Sequence, residues 1–185
     1  MQEYDITELR GFLEKVRGET RVKTKEEGIR NQFIQSAVDE IFVEHDWDMN
    51  RRTETDMEKD DDGYFTAPSD FSMFNDFYML DASGNKYTKD QLTITQDGSQ
   101  TLISGPTEDT TTLVYYIVAP SLLTGSKKVR FPQPMLIAER AYVRLKTAYF
   151  PDETSEKEEA RSLRMVRELA MRGKPRPSFK LKMWS

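Results

Sequence analysis

Two amphipathic helices are predicted in the first part of the chain. The first extends from Asp5 to about Arg17, before Gly18, and the second starts at Thr24, where Thr24 and Glu27 fit the capping-box pattern. Apolar residues fall three or four positions apart in both segments. They are Ile6, Leu9, Phe12, Leu13 and Val16 in the first, and Ile29, Phe33, Ile34, Ala37, Val38, Ile41 and Phe42 in the second.

The helical spacing ends near Trp47, and short runs of β-favouring residues alternate with turn residues as far as Ala119. Residues 91–104 are typical of a hairpin around Gly98, since glycine accepts a positive φ. The apolar run Thr111–Val118 predicts a strand in the middle of its sheet. The predicted strands are residues 47–53, 63–67, 76–80, 91–95, 101–104 and 111–118.

Helical spacing returns at Pro134, stops at Pro151 and resumes from about Ser155 to Arg172. This order of elements predicts an α+β fold: a helical bundle with an inserted antiparallel β lobe and an extended C-terminal tail. The expected parts are a discontinuous bundle of residues 1–46 and 131–173, a β lobe of residues 47–130, and a tail of residues 174–185.

Composition narrows the possible functions. Of the 185 residues, 37% are hydrophobic and 32% charged, which is typical of a globular protein. No apolar run approaches the roughly 20 residues that span a bilayer, and the acidic start does not resemble a signal peptide. The absence of cysteine excludes disulfides, thiolate metal sites and cysteine nucleophiles. A net charge of −5 argues against tight, sequence-independent binding of nucleic acid over the whole surface.

Two polar features are candidates for chemistry. The acidic segment Glu54–Asp62 could bind a divalent cation, but it lacks the spaced ligands of an EF-hand loop, so a solvated hairpin or loop is the better interpretation. His45 is the single histidine and has no accompanying serine motif or metal signature. We interpret it as a polar residue at the end of a helix, where the dipole favours it. We therefore expect no catalysis, cofactor or metal.

Aromatic residues are frequent between residues 64 and 116 and could stack sugars or bases, although filling a β core is the simpler interpretation. Tyr115 and Tyr116 are adjacent and should point to opposite faces of a strand. The others are Tyr64, Phe65, Phe71, Phe74, Phe77, Tyr78 and Tyr87.

The C-terminal tail is the strongest candidate for a binding segment. Pro175 and Pro177 prevent it from continuing the helix, and apolar residues then alternate with lysines, as in an extended strand. Such a short end is either disordered or adds to another surface, and its apolar stripe favours docking. The candidate docking residues are Phe179, Lys180, Leu181, Lys182, Met183 and Trp184.

Several local patterns are similar to those of one family. The helix 31–44 ends in Asp46-Trp47-Asp48, residues 65–71 read FTAPSDF, and Phe131-Pro-Gln-Pro134 opens a helix with alanine and aromatic residues. In this order the chain, over residues 29–172, resembles the head-to-tail adaptor proteins of tailed bacteriophages, including the tail tubular protein A type.

The resemblance implies a structural virion protein, assembled in the host bacterial cytoplasm and located in the neck of the particle. Its subunits would form a homo-dodecameric adaptor ring between the portal protein and the tail or nozzle proteins. DNA would pass through without sequence-specific binding, no membrane would be involved, and the tail would dock into the portal. Two alternatives remain: a head-completion or tail-terminator protein, and a carbohydrate-binding β module.

Overall fold

Four helices and antiparallel β-sheets in the described part of the chain make this an α+β protein, as the sequence predicts. The computed structural model describes residues 2–17, 24–124, 127–149 and 151–171. Helix α3 packs against each of the other three helices. The helices are α1 (Ile6–Arg17), α2 (Thr24–Glu44), α3 (Pro134–Tyr149) and α4 (Ser155–Met171), close to the predicted ranges.

The apolar faces of the helices meet in one hydrophobic cluster, which we call the helical cluster. Trp47 and Phe131 complete it with ring centroids 5.0 Å apart. Burying each large apolar side chain contributes about 1.5–3 kcal/mol, so this cluster is the main source of stability for the helices. Its fully buried members include Leu9, Leu13, Ile34, Val38, Ile41, Leu122, Val129, Ile137 and Ala141.

The described strands form three antiparallel sheets, with the orders β1-β9, β2-β8-β4-β5 and β3-β7-β6. The central position of β8 and the β6–β7 hairpin, where Gly98 has φ 57°, are confirmed. The strands are β1 (Glu3–Tyr4), β2 (Arg51–Glu58), β3 (Phe65–Thr66), β4 (Tyr78–Leu80), β5 (Lys86–Thr88), β6 (Thr93–Asp97), β7 (Gln100–Ser104), β8 (Thr110–Tyr116) and β9 (Val129–Arg130).

The two larger sheets enclose a second hydrophobic cluster, the sheet cluster. Phe71 packs edge to face on Phe77 with a centroid separation of 4.9 Å. The interpretation of the aromatic residues as core is therefore confirmed for four rings. The cluster contains Met57, Phe65, Ala67, Phe71, Phe77, Met79, Leu92, Ile103, Leu113 and Tyr115.

The prediction of a strand over residues 47–53 is wrong at its start. The indole Nε1 of Trp47 donates to Ile41 O at 2.8 Å, which keeps Trp47 in the helical cluster. A 3-10 turn at Asp48–Asn50 follows, and β2 begins only at Arg51. The short strands β1, β5 and β9 were not predicted.

The start of α1 carries a capping box that the sequence analysis missed. Asp5 Oδ1 accepts from the backbone N–H of Glu8, and Glu8 Oε2 accepts from that of Asp5, both at 2.9 Å. The side chain of Thr24, in the capping box predicted for α2, and the tail 174–185 lie outside the described residues. No helix in the described ranges is long and apolar enough to cross a membrane.

Candidate interaction surfaces

Asn75 joins the end of α2 to the loop before β4. Its side chain is 5% exposed, and its Nδ2 lies 3.1 Å from Phe42 O and 3.0 Å from Asp46 Oδ1. Its Oδ1 accepts from Ser72 Oγ at 2.6 Å. Because the last carbonyls of a helix lack partners within the helix, Asn75 satisfies one of them while it anchors the loop.

Backbone contacts extend this junction between the helices and the strands. Ile117 N donates to Asn50 O at 3.0 Å, and Ile117 packs against both hydrophobic clusters. The side chain of Gln35 in α2 donates to Pro120 O at 3.1 Å and accepts from Leu122 N at 2.7 Å. Asn75 is buried and Gln35 is half-buried, and their paired polar groups hold the contacting segments in one arrangement.

The loop of residues 72–76, which we call the Phe74 loop, is held on several sides. Lys89 Nζ donates to Met73 O at 2.7 Å and to Asn75 O at 3.3 Å. Asp76 N donates to Asp46 Oδ1 at 3.2 Å. Between these anchors the side chain of Phe74 is 70% exposed. The adjacent Met73 is 36% exposed, so this fixed loop presents two neighbouring apolar side chains to water and is a candidate contact surface.

The acidic segment Glu54–Asp62 forms a hairpin with exposed side chains apart from Met57 and Lys59, as predicted. Its first half belongs to β2, and Lys59 pairs with Phe65 after the turn. Asp60 Oδ1 is already used inside the turn, since it accepts from Asp62 N at 3.1 Å and from Tyr64 N at 2.7 Å. Within the described ranges, no three or more side chains of metal-ligating type are grouped so that they could hold an ion.

His45 lies directly after the last residue of α2, as predicted. Its ring packs edge to face against Trp47 with a centroid separation of 5.7 Å, and its Nε2 lies 3.9 Å from Glu44 Oε2. These contacts place His45 against the helical cluster at the helix end.

The tyrosines of the sheets are mostly occupied by contacts within the chain. Tyr115 OH donates to Asp70 Oδ1 at 2.9 Å, and burial together with this hydrogen bond raises the pKa of Tyr115 well above its ordinary value. The adjacent Tyr116 is half-buried, which agrees with the predicted alternation. The ring of Tyr78 has Lys86 Nζ 4.0 Å from its centroid and the Arg51 guanidinium at 5.8 Å. A sugar would have to displace these cations before it could stack on Tyr78.

An ion-pair network ties three helices together around the buried Arg140, which is 1% exposed, while its partners Glu40 and Glu159 reach water. Its guanidinium lies 2.6 Å from Glu40 Oε1 in α2 and 3.3 Å from Glu159 Oε1 in α4, and it donates to Ser162 Oγ at 3.0 Å. Burial lowers the pKa of Arg140, but the hydrogen bonds and charges of Glu40 and Glu159 outweigh this effect and leave the pKa above its ordinary value. We assign a structural role to this network.

The connection between α3 and α4 is held by Lys146. Its Nζ lies 2.9 Å from both Asp152 Oδ2 and Glu158 Oε2. The hydrogen bonds to Glu158 and Asp152 raise the pKa of Lys146 well above its ordinary value. The hydrogen bond from Lys146 and those from Thr154 and Ser155 hold the pKa of Asp152 far below its usual range.

The predicted docking residues Phe179–Trp184 lie outside the described residues, so their position relative to these surfaces stays a prediction. The Phe74 loop was missed, because the sequence shows Phe74 only as one aromatic residue among many. A usable signal was its place in Ser72-Met-Phe-Asn-Asp76, where two apolar residues stand between polar ones in a predicted loop. Neither a protein-family model nor a curated protein matches this chain.

Proposed function

We propose that this protein is a structural subunit of the neck of a tailed bacteriophage, where a ring of copies joins the portal to the tail. The proposal begins from the sequence resemblance over residues 29–172. In the proposed subunit, residues 1–46 and 131–173 act as a helical bundle that carries residues 47–130 as a β lobe. The role is mechanical and involves no chemical reaction.

The observation that best supports this proposal is the junction of hydrogen bonds centred on the buried Asn75 and the half-buried Gln35. A subunit between two rings must contact a different partner at each end and keep the ends at a fixed angle. Two hydrophobic clusters joined by paired polar groups meet that requirement, since they resist rotation of one part against the other.

The tail supplies the proposed contact with the portal. Residues 174–185 carry four basic and no acidic side chains, together with the apolar residues Phe179, Leu181, Met183 and Trp184. A basic, apolar strand can add to a sheet or groove of a partner through backbone hydrogen bonds and side-chain pockets. This part of the proposal rests on sequence alone.

The test is attachment of the purified chain to isolated portal rings, compared with isolated tail rings. We expect the full chain to bind the portal and a chain truncated after Gly173 to lose most of this binding. Lys180→Gln with Lys182→Gln should weaken binding and reduce its salt dependence, whereas Lys127→Gln with Lys128→Gln serves as a matched charge control. Unchanged attachment of the truncated chain would contradict docking by the tail.

The same experiment separates the adaptor from the alternative neck proteins. An adaptor binds the portal and the tail rings, whereas a tail-terminator protein binds the tail alone. Imaging of the portal with added subunits should show a closed ring on one face of the portal. Binding to neither ring would rule out the proposed function.

A further inference from the structure

A shallow groove follows one side of α1, with a volume of about 220 Å³. Its walls include two aromatic rings, Tyr4 and Phe12, which meet edge to face with centroids 5.8 Å apart. Charged residues stand at its rim, with Glu8 and Lys15 two helical turns apart. The lining residues are Gln2, Tyr4, Glu8, Gly11, Phe12 and Lys15.

Gly11 lies on this groove in the middle of α1, where glycine is a poor helix former. A Cβ atom added at Gly11 would meet no other atom within 4 Å. Packing inside the subunit therefore does not require glycine at this position. A missing side chain beside aromatic walls is useful to a protein when another molecule comes close to the helix backbone.

The Phe74 loop projects from the surface, in contrast to the groove on α1. Its backbone is fixed by Lys89 and Asn75, and its phenyl ring projects into water. A cavity of about 150 Å³ already holds benzene, so the α1 groove is large enough for a phenyl ring. A third ring beside Tyr4 and Phe12 would extend their edge-to-face arrangement.

We propose that Phe74 of one subunit inserts into the α1 groove of a second copy of this chain. Charge complementarity favours this partner. The cation Lys89 and the exposed carboxylate Asp76 accompany Phe74, whereas Glu8 and Lys15 mark the rim of the groove. Lys89 can therefore face Glu8 while Asp76 faces Lys15.

The proposed contact is heterologous: each subunit gives its Phe74 to one neighbour and its groove to the other. Such a contact repeats from copy to copy and gives a ring when the rotation closes. The inference rests on the proposed function for this closure. The contact itself can be tested without any portal.

Disulfide trapping tests the contact directly, since the chain has no cysteine of its own. Met73→Cys and Gln2→Cys place one thiol beside Phe74 and one on the groove and leave Phe74, Gly11, Glu8 and Lys15 intact. Under oxidising conditions we expect the double variant to give a ladder of covalent oligomers. Adding Phe74→Ala should reduce the ladder at least tenfold.

The matched control combines Gln2→Cys with Met135→Cys, because Met135 is 38% exposed and so resembles Met73, which is 36% exposed. A ladder from the control pair as strong as that from Met73→Cys would overturn the proposal, as would a ladder that persists with Phe74→Ala. A crosslink within single chains alone would also overturn it.

Gly11→Ala gives a second test, in which the melting temperature and the disulfide trapping should change in opposite directions. Alanine favours the helix, so the melting temperature should rise by about 2–4 °C. The added methyl group obstructs the groove, so trapping between Met73→Cys and Gln2→Cys should fall severalfold. A rise in both quantities would contradict the inserted ring.

Trapping and portal attachment test two different claims. Loss of trapping with normal portal attachment rejects this contact alone, whereas trapping without portal attachment rejects only the proposed function.

Discussion

At the scale of single residues, Asn75 and Asp56 each hold a feature of the fold that their residue type alone does not indicate. Asn75 makes hydrogen bonds to partners 33 positions away in the sequence and satisfies a carbonyl at the end of α2. Asp56 has φ 56°, a left-handed conformation that is unusual outside glycine. It lies where the β2–β8 register shifts between Glu54 and Met57, so it marks a β-bulge in an edge strand.

Asn75→Ala should destabilise the protein by about 2–3 kcal/mol, because the Ser72 hydroxyl and a helix-end carbonyl lose their buried partner. The measurement is urea unfolding followed by circular dichroism. Gln32→Ala, at an exposed position of α2, is the control and should change the stability by less than about 0.5 kcal/mol. Equal effects of the two changes would show that the junction contributes little.

Asp56→Val should cost about 1–2 kcal/mol, since a β-branched side chain is poorly tolerated in the left-handed region. Thr53→Val, in the regular part of the same exposed strand, should be neutral or slightly stabilising because valine favours extended backbone. Thermal unfolding of both variants measures the difference. A neutral Asp56→Val would mean that the bulge relaxes without cost.

At the scale of elements, ion pairs of two kinds hold the helices together. The Arg140 network has a buried guanidinium at its centre and joins α2, α3 and α4, whereas the Lys146 network lies at the surface and joins α3 to α4. Removing one partner of a buried pair leaves an uncompensated charge, but a surface pair is screened by water.

Arg140→Met should destabilise the protein by about 2 kcal/mol, because Glu40 loses its closest cation and keeps Arg144, whose Nε lies 3.1 Å from Glu40 Oε2. Glu40→Gln combined with Arg140→Met should cost less than the sum of the two single changes, since each single change already breaks the same pair. A double-mutant cycle from guanidinium chloride unfolding gives the coupling between the two side chains. Additive effects would argue against direct pairing of Glu40 with Arg140.

The Asp152 carboxylate makes stability depend on pH in the acid range. Its pKa in the folded state is depressed, so its contribution is complete above the ordinary value of about 3.9 and is lost as the pH falls through the lower, folded value. Asp152→Asn should make the stability fall less steeply below pH 4 than in the wild type. Parallel stability curves for the two proteins between pH 4 and pH 2 would disprove the depression.

At the scale of the whole molecule, the two hydrophobic clusters should unfold together because the junction couples them. Fluorescence of Trp47 reports the helical cluster once Trp184→Phe has removed the second tryptophan. Hydrogen exchange of β7 and β8 reports the sheet cluster. We expect the two probes to give the same unfolding midpoint in the Trp184→Phe protein and different unfolding midpoints after Asn75→Ala is added. Separate midpoints without Asn75→Ala would mean that the two parts fold independently.

Much of this architecture could be predicted from the sequence. Residues such as Ile34, Ala37, Val38 and Ile41 recur at a helical period, and Gly98 marks a turn, so the helices and the β6–β7 hairpin follow from local rules. Partners distant in sequence could not be predicted in the same way. The hydrogen bond of Asn75 to Phe42 and the groove beside Gly11 arise only when separate elements pack together.

The pairing of β1 with β9 has a consequence for the way the chain is made. Glu3 meets Arg130 and Tyr4 meets Val129, and α1 packs on α3. No fragment that ends before Val129 can contain a finished helical cluster. On the ribosome, the apolar faces of α1 and α2 must therefore wait for the whole strand region to be synthesised before their partners exist. Residues 51–116, in contrast, contain every strand of the two larger sheets, so all strands of these sheets exist once residue 116 has been synthesised.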